Sequence, residues 1–314
     1  MKILVTGGCG FIGSHVVDIL IGAGHETVVV DDLSTGHLDN LNAQAKFYEM
    51  DFSSPELRDV IAAEQPDVID HHAAQMDVRR SVADPVFDAE LNIMGPIRML
   101  ELAREFGVGK IIHISSGGTV YGEPQYLPCD ESHPIQPLSP YGASKFTFEL
   151  YVQMYHKLYG LDYAVLRYPN VYGPRQDPHG EAGVVAIFAG QMLADEPVVI
   201  FGDGEQSRDF VYVADVASAN LTLIEQKVSG TYNLGYGEGT TVNEVYGTLK
   251  ELTHYDQEAE YAPPRPGEIS KIYLAAQMAH EDFGWKPAYD LKSGLQATVD
   301  FFRSTMQNAE ASEV

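Results

Sequence analysis

Thr6-Gly7-Gly8-Cys9-Gly10-Phe11-Ile12-Gly13 decides the fold of this chain. Lys2-Ile3-Leu4-Val5-Thr6 leads into it, an apolar run that reads as a buried parallel strand. Beyond it, Ile12, Val16, Ile19 and Leu20 recur at helical spacing over Phe11 to Gly22. Gly7, Gly10 and Gly13, spaced G-x-x-G-x-x-G, therefore stand between strand and helix. A pyrophosphate rests on a helix N-terminus at such a turn, and side chains at these positions would keep the backbone N–H groups from it. The stretch predicts a dinucleotide site.

Working outward, Glu26-Thr27-Val28-Val29-Val30-Asp31-Asp32 reads as a second buried strand ending in acid. Asp31 lies 18 residues beyond Gly13, near the spacing at which a carboxylate accepts hydrogen bonds from the adenosine ribose. It would repel a 2′-phosphate, which favours NAD over NADP. Asp32 reads as an exposed turn residue, and Ser34, Thr35 and Gly36 continue as a polar loop at the same site. Phe47 to Phe52 reads as a third strand whose end, Asp51 and Phe52, would cover the adenine. Asp67 to Ala74 is the fourth; the small Ala73 and Ala74 allow close backbone approach to a cofactor. His71 and His72 adjoin, but neighbours on a strand point to opposite faces and nothing nearby completes a ligand set. No metal is expected.

Lys110 to Ser116 reads as a fifth strand, entered after a helix over residues 92–106. Ser115, Ser116 and the run Gly117-Gly118-Thr119-Val120-Tyr121-Gly122 place hydroxyls and glycines at its C-terminal end, where α/β sheets bind ligands. Tyr141-Gly142-Ala143-Ser144-Lys145 then opens a helix, and residues four apart share a face. An ammonium beside a phenol favours the phenolate, so Tyr141 is expected to titrate below its usual value of about 10. It could then act as a general base on a sugar or alcohol hydroxyl.

These residues resemble the extended short-chain dehydrogenase/reductase superfamily and, within it, the UDP-glucose 4-epimerases and their close relatives. The resemblance covers nearly the whole chain. It runs through Thr6–Gly13, Asp31–Gly36, His72-Ala73-Ala74-Gln75, Ser115–Gly122, Tyr141–Lys145 and Arg167-Tyr168-Pro169-Asn170-Val171-Tyr172-Gly173-Pro174. It continues through Phe201-Gly202-Asp203-Gly204, Arg208-Asp209-Phe210 and Arg265-Pro266-Gly267-Glu268.

The resemblance implies NAD held tightly as a catalyst, with Tyr141 as acid/base at the sugar C4 hydroxyl and Lys145 lowering its pKa and orienting the ribose. Hydride leaves C4 and returns to the other face of a transient 4-keto sugar. Further cofactor contacts implied are Phe11, Ile12, His72, Ala73, Ala74, Gln75, Asn92, Ser115, Tyr168 and Pro169. For a UDP-sugar substrate the resemblance implies Gln75, Thr119, Asn170, Val184, Glu268 and the uracil-facing segment Val199–Phe201. Arg208 and Arg265 are the diphosphate candidates, since guanidinium meets phosphate bidentately; Arg175 is a lesser one. The family position associated with room beside C2 falls on Ile272.

One departure stands out. The family places a Ser or Thr where this chain has Gly117, so Ser116, Thr119 or a water is expected to replace that hydroxyl. A neighbouring difference bears on a rival activity. Nucleotide-sugar 4,6-dehydratases carry an Asp-Glu pair, and UDP-glucuronate decarboxylases a Glu, where this chain has Gly118 and Thr119. With no acid there for elimination, epimerisation is favoured. An epimerase, decarboxylase or reductase for another nucleotide sugar is the alternative. A non-catalytic NAD sensor is the other, and it would need neither Tyr141 nor Lys145.

The fold expected is α/β: a Rossmann-type doubly wound parallel sheet over 1–170, with a return near 208–238, and a smaller C-terminal substrate-binding lobe in 171–314. Gly230–Gly235 reads as a strand returning to the main sheet, and Thr305–Val314 as a frayed end. Forty-five acidic residues face 20 basic ones across 314 residues, a net charge of −25, which argues against nucleic acid as partner. The excess fits either ordinary acidity or a high-salt habitat, which melting in multimolar KCl would separate. No 18-residue apolar stretch suggests a membrane, and two cysteines suit a reducing cytoplasm. Helices 92–106 and Phe146–Tyr159 are the candidate faces of a homodimer, or else Phe146–Tyr159 packs only within its own subunit.

Overall fold

The computed structural model describes residues 1–179, 183–265 and 269–312. Strands β1 (Lys2–Thr6), β2 (Glu26–Asp31), β3 (Lys46–Glu49), β4 (Val68–His71), β5 (Lys110–Ser116) and β6 (Asp162–Tyr168) join Gly230–Asn233 in one seven-stranded sheet. The order is β3-β2-β1-β4-β5-β6, then Gly230–Asn233 at the edge, and every pairing is parallel. This is the doubly wound Rossmann order, whose switch point lies between β1 and β4.

Parallel strands need crossovers, so both faces are covered and both sides of each strand are apolar. Ile3 and Val5 of β1 pack with Val16, Val17 and Leu20 of α1 (Phe11–Gly22) and with Val216 of the Val213–Glu225 helix. Leu4, between them, points to the other layer. There it meets Leu57 and Ile61 of α2 (Leu57–Glu64).

The chain next forms α3 (Val78–Ala83), α4 (Pro85–Ala89), a π-helical turn (Glu90–Met94) and α5 (Gly95–Phe106). The helix expected from residue 92 thus opens with a widened turn around Asn92. Helix α6 (Pro140–Tyr159) buries Phe148 and Val152 against β5 and β6. Ser139 caps it, accepting the Gly142 N–H at 3.2 Å, and Pro140 occupies its first turn.

Three expected strands end early, the one expected over Gly230–Gly235 stopping at Asn233. β3 stops at Glu49, which leaves Asp51 and Phe52 in the turn beyond. β4 stops at His71, because the N–H groups of His72 and Ala73 turn back to Thr6 O at 3.0 and 3.1 Å.

The remaining residues form short strand pairs: Asn170–Tyr172 with Phe210–Tyr212, Val199–Phe201 with Glu260–Ala262, and Ser207–Arg208 between Thr240–Thr241 and Lys271–Ile272. Helices Val184–Leu193, Val242–Thr253 and Leu291–Ser312 pack against one another beside them. The last helix runs to Ser312, through most of the segment expected to fray. Among the described residues no helix is long and apolar enough to cross a membrane.

Candidate active site

The glycine turn is close-packed. Gly7 has φ +72° and donates to Val30 O at 2.8 Å, while Gly10 N–H returns to Gly7 O at 3.1 Å. A Cβ at Gly13 would stand 2.2 Å from Gly7 O, and one at Gly7 would stand 2.7 Å from Ala73 N. The N–H groups of the first turn of α1, including Phe11, Ile12 and Gly13, have no acceptor one turn earlier and face this cradle. Asp31 is buried at the end of β2, where its carboxylate accepts the N–H groups of Cys9 and Leu33, each at 2.9 Å. Burial raises its pKa, the two N–H donors oppose that, and lone pairs remain on both oxygens.

Asp32 is exposed and accepts Ser34 instead. A cleft of about 360 Å³ opens here, lined by Gly7, Asp31, Ser34, Asp51, Phe52 and Ala73, with Thr35 exposed and Gly36 buried behind Asp31. A glycine cradle that any Cβ would fill, an open helix N-terminus and a strand-end carboxylate fit a dinucleotide with a free ribose 2′-hydroxyl.

At the far end of the same sheet edge, Tyr141 and Lys145 project from α6. The Tyr141 hydroxyl lies toward Ser116, at the end of β5, whose hydroxyl favours the phenolate. Lys145 is buried, its Nζ 6.0 Å from the centre of the Tyr141 ring, and among the described residues it makes no hydrogen bond. The expected lowering of the phenol is not what the protein alone produces. Burial pushes Tyr141 up to about 12, with the charge of Asp88 adding to the rise and Ser116 opposing it. The same burial brings Lys145 down to about 8, against the pull of Asp88 and Glu149. Desolvation penalises both charged forms.

Gly117 has a structural reason. A Cβ there would stand 2.3 Å from Cδ1 of Leu274, which fills the space a serine would need. The backbone that carries Leu274 is held in turn: its N–H donates to Asp209 at 3.1 Å, and Tyr273 O and Ala275 N–H bond the backbone of Cys129. Of the hydroxyls left to replace the missing one, that of Ser116 lies toward Tyr141. Thr119 Oγ1 is buried without a partner among the described residues. The Ser115 hydroxyl is committed to Glu149. A side chain at Gly118 would stand 3.9 Å from both Ser116 Oγ and Asn170 Oδ1, so these polar atoms border one gap beside Tyr141.

Several expected contact residues also make bonds inside the protein. The Asn92 amide donates to Gln75 O and to Asp88, each at 2.9 Å, and accepts the Gln75 N–H at 3.0 Å. Gln75 spends its side-chain amide on Asp77 O and Asp88, each at 2.9 Å, and accepts Asp77 N–H. Both side chains therefore latch the loop after β4, which leaves Ala73 and Ala74 on the cleft. The Tyr168 hydroxyl, just before Pro169, is buried and accepts from Asn220 at 2.6 Å. His71 meets Thr6 at 2.7 Å and His72 lies 3.0 Å from Asp70; among the described residues no group of side chains could hold a metal.

Across the cleft, a second cavity of about 600 Å³ is bordered by Phe201, Gln206, Arg265 and Lys271. The Arg265 guanidinium lies 4.3 Å from the centre of the Phe201 ring. Arg208 donates to Ser207 O at 2.9 Å and Ser270 O at 3.3 Å. Val184 opens the Val184–Leu193 helix, Val199 opens the strand that ends at Phe201, and Ile272 is buried beside Leu274. Arg175 is paired with Asp18 at 2.8 Å. Glu268 lies outside the described residues.

The sequence reading gave no role to Asp88, Glu149 or Leu274, and it quoted Arg167 only within a motif. Glu149 alone carried a local signal, one helical turn beyond Lys145; the other three are brought to the site by long-range packing.

A dinucleotide cradle at the carboxyl edge of a parallel sheet, with a tyrosine and a lysine one helical turn apart beside it, defines an extended short-chain dehydrogenase/reductase. The chain belongs to the NAD dependent epimerase/dehydratase family, which residues 3–235 match. The UDP-glucose 4-epimerase of Mycolicibacterium smegmatis is 44% identical, over 98% of this chain and 100% of that protein. The structure of the Thermotoga maritima UDP-glucose 4-epimerase with UDP-glucose superposes with a TM-score of 0.95 at 49% identity, covering 98% of this chain and 100% of that one. That of the Thermus thermophilus UDP-glucose 4-epimerase in complex with NAD gives 0.91 at 44%, covering 96% and 99%.

Proposed function

We infer that this chain is an NAD-dependent UDP-hexose 4-epimerase that interconverts UDP-galactose and UDP-glucose. The observation that carries the reading is the placement of Tyr141 beside the end of β5, with the unengaged Lys145 ammonium 6.0 Å from the centre of its ring on the same face of α6. Tyr141 accepts the proton of the C4 hydroxyl and later returns it; Ser116 and Thr119 border the sugar oxygen. Lys145 holds the ribose and favours the phenolate. When bound, NAD supplies a reversible hydride acceptor and a positive ring charge that offsets part of the burial penalty on the phenolate. The C–H and O–H electrons and protons all return to the sugar, so no net oxidation occurs.

Arg208 and Arg265 would hold the diphosphate and Phe201 the base, once Arg265 yields the ring face it covers. A firmly held nucleotide and a loosely held hexose let the keto sugar present either face. In this reading residues 1–170, with the return near 208–238, hold the cofactor, and 171–314 mainly hold the substrate. Cys9 and Cys129, buried free thiols, suit the cytoplasm.

A homodimer accompanies the reading. Leu150, Met154 and Leu158 form an exposed apolar row at i, i+4, i+8 on α6. Light scattering is expected to return twice the chain mass; the single chain mass would discard the dimer. For the activity, purified protein given UDP-galactose without added NAD should form UDP-glucose, and acid extraction should release NAD. No conversion even with NAD supplied would overturn the assignment.

A further inference from the structure

We propose that Asp88 is a positioning residue for this reaction: its buried carboxylate ties the first turn of α6 to the loop after β4 and faces the Tyr141–Lys145 pair as a fixed negative charge. The proposal rests on the reading of Tyr141 as the base. Asp88 is fully buried at the end of α4. Its Oδ2 accepts the Ser144 hydroxyl at 2.6 Å, and Ser144 directly precedes Lys145 on α6. Its Oδ1 accepts the amides of Gln75 and Asn92, each at 2.9 Å. All three donors are neutral, so they hold the carboxylate without cancelling its charge.

The other charged or titratable groups around the pair are accounted for differently. Glu149, one turn further along α6, is taken up by Arg167 of β6 through two hydrogen bonds at 3.1 and 2.7 Å. His71 of β4 and His113 of β5 stack 6.2 Å apart behind Phe148, and burial holds both rings well below the usual imidazole range, hence neutral. His72 lies against Asp70 at 3.0 Å. On α5, Glu101 and Arg104 pair with each other at 2.7 Å near the far end of α6, and Arg79 and Arg80 of α3 are exposed. Among the described residues Asp88 is the carboxylate that acts on both members of the pair, and it raises both Tyr141 and Lys145. A negative charge beside a coupled pair holds protons on it, whichever member they occupy. Its removal must move proton loss from the pair to lower pH.

Asp88→Asn is nearly isosteric and neutral; its carbonyl still receives Gln75 and Asn92, and its amide can donate to Ser144. The pH dependence of kcat for UDP-galactose conversion, measured on the NAD-loaded enzyme, should show an acidic limb about one pH unit lower than wild type. Ser144→Ala keeps the charge and cuts the tie, so kcat should fall several-fold with the limb in place. A folded Asp88→Asn enzyme with an unmoved limb overturns the proposal, as does an equal displacement in Ser144→Ala. Asp88→Ser, smaller and also neutral, replaces the asparagine variant should that one not fold, and the same displacement is required of it. Inactive wild-type protein would instead overturn the reading of the reaction itself.

Discussion

Replacement of Tyr141 by phenylalanine slows UDP-galactose conversion on the order of 10³-fold while the protein folds and keeps its NAD. The ring is retained, so the packing around the start of α6 is retained, and only the hydroxyl goes. What is lost is the group that takes the C4 proton as the hydride leaves, an interaction made in the transition state; 10³-fold corresponds to about 4 kcal/mol. Stability should change by no more than about 1 kcal/mol, since Tyr141 and the neighbouring Ser116 are only half-buried and a hydroxyl there can meet water. The loss should fall on kcat, with KM for UDP-galactose nearly unchanged, because the nucleotide is held across the cleft. A variant within tenfold of wild type would place the base elsewhere, with Lys145 the first residue to re-examine.

The high resting value of the Tyr141 phenol belongs to this argument. The ammonium–phenol spacing was legible in the sequence, but the degree of burial was not. Spacing on a helix gives proximity, whereas desolvation depends on what the tertiary fold stacks around the pair. The cofactor end was legible for the opposite reason. Gly7, Gly10, Gly13 and Asp31 do their work through local backbone and strand-end geometry, which a linear pattern specifies. For Gln75 and Asn92 the motif gave no sign that their amides serve Asp88 and the loop after β4. Gly117 is a similar case. The missing hydroxyl was visible, but its cause is Leu274, more than 150 residues downstream, its backbone held by Asp209. The seventh strand came through because Gly230–Asn233 has a strand pattern of its own, while the short pairs of the substrate lobe, two or three residues each, are too brief to leave a period.

Removal of the Glu149 carboxylate should cost more stability than any change at the cleft. Glu149 is fully buried on α6 and Arg167 almost so on β6, joined through Nε and Nη2. Ser115 of β5 donates to the same carboxylate, and Arg167 Nη1 donates to the Tyr121 hydroxyl at 2.8 Å, which donates to Asn233 at 2.7 Å. One carboxylate therefore fastens α6 to two neighbouring strands and, through Tyr121, to the edge strand Gly230–Asn233. Glu149→Ala leaves a guanidinium buried without a partner, a change that destabilises by about 3–5 kcal/mol. Urea titration followed by circular dichroism should show the midpoint fall accordingly. The double replacement Glu149→Leu with Arg167→Met removes both charges and should recover most of that loss, since a buried ion pair is often worth no more than an apolar pair of similar volume. Activity should not recover with it. Lys145 lies one turn from Glu149, and the apolar pair restores packing without the directional bonds that set the angle of α6 against β5 and β6. A Glu149→Ala midpoint equal to wild type would mean that the pair does not hold α6 to the sheet. Full activity in the double variant would mean that packing alone aims Lys145.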